Sequence, residues 1–328
     1  MSIKEHLKKI GRGKDGARAL SRGQAADLLG QVLDGAVSEL EIGAFCIAMR
    51  VKGETAEEMA GFLDALEPRL QRWPAPARSP LPSVVLPSYN GARKLPVLTP
   101  LLAGLLARQG LAVLWHGCAT EDARAHPEAI LPALESAGLL SAELQPGKVC
   151  WVPTQRLQPG LQRLLDVRRS VGLRNSAHSL VKLMNPVAGP ALLLSSYTHS
   201  EYLHSMSATL ALTGANALLL RGTEGEPVAD ARRCPAMDAF VAGRSWRIQE
   251  AQGGPLLPLA DGPTPDADAT LHWTQAVLLG QRAIPEPIAL QVRHTLELAR
   301  LIASGQIPTP SEHPMNTCLL YTSDAADE

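Results

Sequence analysis

The sequence predicts an α/β protein in two parts, a small all-helical amino-terminal domain and a larger α/β domain whose mainly parallel sheet is flanked by helices. Three observations carry this expectation. Before residue 70, apolar residues recur every three or four positions in three successive stretches. Pro68, Pro74, Pro76, Pro80 and Pro82 then punctuate a connector, which cannot continue a helix because proline lacks the N–H that a helix interior needs. Beyond it, short aliphatic runs alternate with helical stretches, the pattern of parallel strands joined by helical crossovers.

Taken in order, residues 4–10 read as a short helix stopped by Gly11 and Gly13. Lys8 and Lys9 lead into a flexible basic loop with Arg12, Lys14 and Arg18, suited to following a phosphate backbone. A solvated arm is the competing reading. Leu28, Leu29, Val32 and Leu33 form the first stripe, Ile42, Phe45, Cys46 and Met49 the second, and Met59, Phe62, Leu63 and Leu66 the third. These serve a core or a dimer contact rather than a cofactor. The helical domain is therefore placed at 1–73, and the α/β domain at 80–160 and 186–305. Strands are expected near 84–86, 112–115, 149–152, 191–195 and 217–220, with helices at 99–108, 128–137, 201–213, 271–279 and 288–302. The interruption at 161–185 is helical in pattern and basic, and is expected to join the helical domain in space. After Pro314 the composition changes abruptly, and 315–328 reads as a non-native tail of translated adapter sequence, set outside the fold.

The formal net charge of −1 hides two basic segments, residues 1–22 and 163–182, and the field over a groove depends on local charge. No apolar run approaches the ~20 residues of a membrane span, so no membrane association is expected. The amino terminus lacks a secretory pattern. Five cysteines without paired spacing fit a reducing cytoplasm and no zinc site. His199 and His204 lie five apart, wrong for one helical face. His116 and Cys118 have no orienting partner, and Ser195-Ser196 lacks the glycines of a nucleophile elbow. No catalytic residue is assigned.

The informative stretch is Pro87-Ser88-Tyr89-Asn90-Gly91-Ala92-Arg93-Lys94, a loop expected at the carboxyl edge of the sheet, where α/β proteins bind ligands. A backbone phosphate nest needs several glycines, and this loop has only Gly91. Arg93 and Lys94 offer side-chain charge instead. Arg168, Arg169, Arg174, His178 and Lys182 extend over about four helical turns, with Arg174, His178 and Lys182 on one face. Only Asp166 intersperses them, which favours anion binding over a solvated face. Glu224 and Glu226, after the strand at 217–220, are the candidates for magnesium, with an ordinary turn as the competing reading. Tyr89 is the aromatic residue best placed to stack a base.

Residues 48–61, Ala-Met-Arg-Val-Lys-Gly-Glu-Thr-Ala-Glu-Glu-Met-Ala-Gly, resemble the helical-domain signature of anthranilate phosphoribosyltransferases and related pyrimidine nucleoside phosphorylases. Arg169 to Ser176, running on to Met184-Asn185-Pro186, is similar to a second motif of that family, and Trp115-His116-Gly117 stands where it has Lys-His-Gly-Asn. The resemblance spans about residues 20–302. It implies a substrate cleft between the two domains and dimerisation through the helical domain. The departures fall on the chemistry: Pro87 to Gly91 replaces the Gly-Thr-Gly-Gly-Asp pyrophosphate loop, Trp115 and Cys118 replace a Lys and an Asn, and Gly225-Glu226-Pro227 stands near an Asp-Glu metal pair. Ser88, Gly91, His116 and Gly117 then form a degenerate substrate site. Residues 10–14, 17–18, 87–94, 174–178 and 222–226 resemble more closely a DNA-binding branch of this family. That resemblance implies a homodimer binding DNA or RNA, a single strand above all, without sequence preference. The basic interdomain groove, with Asn90, would hold it, with no cofactor and without the parent activity. The alternative is a phosphoribosyl or pentosyl transferase with a changed acceptor, using Asn90 and Lys94 on phosphates and magnesium on Glu224 or Glu226.

Overall fold

A computed structural model describes residues 2–306 except 14, 257 and 260. Lys14 and the tail at 315–328 lie outside the described residues. Helices α1 (Lys4–Ile10), α2 (Arg22–Leu33), α3 (Glu39–Lys52) and α4 (Ala56–Leu66) build the first domain. The last three each start with a capping box, Ser21 with Gln24, Ser38 with Glu41 and Thr55 with Glu58, which satisfies first-turn amides that have no partner inside the helix. The predicted stripes are core: Leu28, Ile42, Phe45, Met49, Phe62 and Leu66 are buried. The buried Glu58 accepts the Leu20 N–H at 2.8 Å and the Lys52 ammonium at 2.6 Å, tying the basic loop to the end of α3.

A short connector with β1 (Trp73–Pro74) leads to β2 (Ser83–Ser88), α5 (Thr99–Arg108), β3 (Val113–Gly117), α6 (Leu131–Ser136) and β4 (Val149–Pro153). The chain then returns to the first domain through α7 (Thr154–Leu157), α8 (Pro159–Val171) and α9 (Ala177–Leu180). There α8 packs on α2 and α3, and α9 on α4. Strand β5 (Val187–Ala188) pairs with β1 in a two-stranded parallel sheet. The sheet resumes with β6 (Ala191–Tyr197), α10 (Ser200–Leu212), β7 (Ala217–Arg221), β8 (Met237–Val241) and β9 (Arg244–Gln249), followed by α11 (Ala267–Leu278) and α12 (Glu286–Ser304).

The seven-stranded order is β4-β3-β2-β6-β7-β8-β9, parallel from β4 to β7 and antiparallel at the last two pairs. From β2 the chain winds outward to β4 and then restarts on the other side at β6. The order therefore reverses between β2 and β6, and the loops leaving their carboxyl ends diverge to leave a crevice. The β8–β9 hairpin was not predicted. Its Ala242-Gly243 turn has φ of 49° and 78°, the two left-handed residues of a tight hairpin turn. No described helix is long and apolar enough to cross a membrane.

Two expected helices are corrected. The stretch at 128–137 begins as a 3₁₀ turn, Pro127–Ile130, before α6. The basic helix expected across 161–185 is broken: Gly172, at φ 74°, ends α8, and only the single turn of α9 follows. Asn175 holds the break, its amide donating to Leu164 O at 2.7 Å and its carbonyl accepting Ala177 N–H at 3.0 Å. Arg174, His178 and Lys182 consequently do not form one helical face.

Candidate functional site

The loop leaving β2 is filled from within the chain. Glu226, 1% exposed, accepts Asn90 N–H at 2.8 Å and Gly91 N–H at 2.9 Å on Oε1. Its Oε2 accepts the Thr99 hydroxyl at 2.8 Å and the Ser88 hydroxyl. Glu224 accepts the N–H groups of Arg93 at 2.8 Å, Lys94 at 2.6 Å and Leu95 at 3.0 Å, with an Arg124 guanidinium N–H at 3.3 Å. Successive amides converging on one anion make a nest of the kind that takes phosphate. Here two carboxylates from the turn after β7 occupy it. Glu224 holds φ at 52°, a left-handed conformation that costs a non-glycine residue and persists where its surroundings impose it. At Gly225, a Cβ would lie 1.7 Å from Asn90 Nδ2, so the turn sits directly on the loop.

This arrangement corrects the magnesium reading of Glu224 and Glu226. Their oxygens face N–H and O–H donors, whose partial positive charge opposes a cation, so these residues do not fit magnesium. Among the described residues no group of three or more His, Cys, Asp or Glu is placed to hold a metal. Tyr89 is corrected as well. It is 1% exposed, with its hydroxyl 2.7 Å from His116 Nδ1 and accepting the Thr154 hydroxyl at 2.8 Å, and cannot stack a base. Burial raises its phenol well above the usual range and pushes His116 down to about 3. Gly117 lies so near β2 that a Cβ would be 1.9 Å from Ser88 O. Of the degenerate substrate residues, His116 and Gly117 are therefore packing against β2, while Ser88 and Gly91 bind Glu226. Arg93 and Lys94 are exposed, and it is their amides, not their side chains, that serve the loop.

Beside this loop, a cavity of about 600 Å³ opens between the domains. Arg50 and Lys52 of α3 line one wall, Arg174, His178 and Lys182 another, and the 196–202 segment after β6 a third. Lys182 is 8% exposed. Its ammonium donates to Gly225 O at 2.7 Å, Ser196 O at 3.2 Å and Ser196 Oγ at 3.3 Å. Burial lowers its pKa to about 8, with Glu226 opposing and Arg174 assisting. The Lys52 charge is engaged by Glu58. Arg174 is partly exposed and has no acceptor among the described residues; burial, then the charges of Arg168 and Arg124, lowers its pKa. The exposed Arg50 also lacks one among the described residues. His178 is buried and neutral, its pKa taken to about 3 by burial and by Arg174 and Arg168.

Arg168 and Arg169 are not the uncompensated charges that the local sequence implies. Arg168 pairs with Glu121 and Arg169 with Asp122, each at 2.6 Å, through carboxylates supplied by the loop after β3. In the arm, Lys8 pairs with Glu5 at 2.7 Å and Lys9 donates to Gln24 at 2.8 Å. Arg18 turns back onto Asp15 O and Ala17 O, both at 2.9 Å, while Arg12 is exposed. Gly11, Gly13 and Ala17 adjoin Val51 and Lys52, which also line the cleft. The arm thus flanks the cleft mouth. Arg50 and Tyr202 of the cleft were not singled out from sequence, and His199 was weighed only as a zinc ligand; for Tyr202 and His199 the signal was the polar, aromatic segment Ser-Ser-Tyr-Thr-His-Ser-Glu-Tyr closing the apolar run of β6.

Residues 4–67 match the helical bundle domain of the glycosyl transferase family. Over 323 residues the sequence is 38% identical to the uncharacterized protein YbiB of Escherichia coli, covering 95% of this chain and 97% of that one. It is 27% identical over 300 residues to an anthranilate phosphoribosyltransferase of Anaeromyxobacter dehalogenans, covering 88% and 86%. The fold is that of the anthranilate phosphoribosyltransferase from Thermus thermophilus, with a TM-score of 0.66 at 22% identity over 92% of this chain and 89% of that one.

Proposed function

The chain belongs to the family of E. coli YbiB, built on an anthranilate phosphoribosyltransferase-like scaffold, and we propose that it binds nucleic acid without sequence preference. The phosphates run through the interdomain cleft. One observation carries this reading: the compact anion nest at 90–95 already holds Glu224 and Glu226, whereas Arg174 and Arg50 face the open cleft without acceptors among the described residues. A site for pyrophosphate is thereby closed, and charge remains for an anion extended along the groove. Arg93, Lys94 and Arg12, all exposed, lengthen the track. Leu40, Ala44, Ile47 and Val51 form an exposed apolar stripe on α3 at helical spacing, which supports a homodimer joined through the helical domain.

The test is fluorescence anisotropy of labelled oligonucleotides at several salt concentrations. Log affinity should fall against log salt by about 0.7 per phosphate neutralised on a single strand, alike for unrelated sequences. Replacing Arg174 and Arg50 by Ala should flatten that slope. Absence of binding at low salt would refute the reading. A second reading, a magnesium-dependent phosphoribosyltransferase with a changed acceptor, is supported by the scaffold. It requires saturable, magnesium-dependent binding of phosphoribosyl pyrophosphate, which the filled nest argues against.

A further inference from the structure

Resting on that reading, we infer that the cleft contains a subsite for one unstacked nucleobase, formed by Tyr202 and His199, with Arg174 and His178 on the adjoining phosphate. Aromatic residues are few in this chain, at 4%, and most are committed to packing. Of the three described tyrosines, Tyr89 is sealed in the core, while Tyr197 and Tyr202 line the cleft. The rings of His199 and Tyr202 have centroids 6.5 Å apart and planes tilted by 44°. At that separation and tilt the two rings meet as a tilted pair rather than a parallel stack; Tyr202 packs partly on the core and His199 is exposed, so a third ring has the side that faces the cleft.

The polar surroundings are those a nucleotide needs. His199 is the N-cap residue of α10, a helix of 13 residues, and its side chain makes no capping bond. The first-turn amides of α10 therefore lack a side-chain acceptor and present the positive end of the helix dipole to the cleft, offset in part by Glu201 of the same turn. An independent group points the same way. His178 is 7% exposed, lines the same cavity and takes the Asn175 N–H on Nδ1 at 3.3 Å. Nδ1 also lies 3.3 Å from the acceptors Asn175 O and Asn175 Oδ1, and Nε2 is buried without a partner among the described residues. In the tautomer that carries its proton on Nε2, this buried donor lacks an acceptor, which is costly, and a phosphate oxygen at Arg174 would satisfy it. The cavity volume of about 600 Å³ is in the range of small-ligand pockets, about 300–1,000 Å³. A base inside a duplex has both faces covered by its neighbours, so only an unpaired strand can lay one on Tyr202.

The test compares an oligothymidylate with an oligonucleotide of equal length whose central sugars are abasic, so that phosphates are equal and bases are not. Wild-type protein should bind the base-bearing strand at least about fivefold more tightly. Tyr202→Ala should remove that preference and leave the abasic affinity unchanged, Tyr202→Phe should retain it, and His199→Ala, at an exposed position, should reduce it without touching the core. Equal affinity of wild-type protein for both strands, or equal loss on both with Tyr202→Ala, overturns the base subsite while leaving phosphate binding in place. Failure of both strands to bind at low salt refutes nucleic-acid binding itself.

Discussion

Removing the Glu226 carboxylate tests the claim that the chain fills its own anion nest. In Glu226→Ala, the Asn90 and Gly91 amides lose their acceptor in a buried site, whereas the Ser88 and Thr99 hydroxyls can rotate to others. At about 1–3 kcal/mol for each stranded amide, the loss should be about 2–6 kcal/mol. Glu226→Gln keeps an oxygen on both amides and turns its NH₂ toward the two hydroxyls, so only the charge assistance is lost, about 1–2 kcal/mol. Urea unfolding followed through the tryptophans of the α/β domain reads both values. Formate sharpens the test, because a small carboxylate can enter the space that Ala leaves. It should stabilise Glu226→Ala by about 2.7 kcal/mol at a hundred times its dissociation constant, and wild-type protein far less. Stability of Glu226→Ala within about 0.5 kcal/mol of wild type, or equal stabilisation of both by formate, would refute the reasoning.

Two further outcomes are expected. His116 and His178 titrate near 3 in the folded protein against 6.5 unfolded, so between those values the unfolded state binds more protons and stability falls as pH falls. Each contributes about 1.4 kcal/mol per pH unit well below 6.5, and His178→Gln should halve their joint slope between about pH 6 and 5; an unchanged slope would show that His178 protonates freely in the fold. Ile47, 40% exposed on the apolar stripe of α3, should tolerate Asp in the monomer yet break a dimer across that face. Light scattering should then report half the wild-type mass with an unchanged far-UV circular dichroism spectrum, and an unaltered mass would refute a dimer joined through that face.

The fold could be read from sequence because its signals are local. Each capping box lies within four residues, the stripes repeat within a turn or two, and Gly172 alone would have located the end of α8. The site could not be read this way, because its decisive bonds join distant segments. Glu224 and Glu226 read as a turn or a metal pair until the switch point of the sheet brings them to amides more than 120 residues earlier. Arg168 and Arg169 read as free cations because Glu121 and Asp122, which neutralise them, arrive from the loop after β3. Tyr89 fails for a related reason: its flanking Pro, Ser and Asn mark a surface loop, but the close approach of β2 to β3 at Gly117 draws its ring inside.

These long-range bonds also explain how the cleft persists beside a loop with a single glycine, Gly91. In an α/β sheet the crevice follows from strand order, here the reversal between β2 and β6, and not from the residues that line it. The transferase-like scaffold can therefore close its backbone nest with Glu224 and Glu226 while the walls stay apart. Filling the nest in this way neutralises amides that would otherwise attract a compact anion. On the nucleic-acid reading, it leaves a longer groove where Arg50, Arg174 and the arm around Arg12 would act on successive phosphates. Binding of that kind is favoured by the number of phosphates along a chain and is indifferent to what any single one carries. The aromatic faces after β6 would then act on the bases, which a free pyrophosphate does not have.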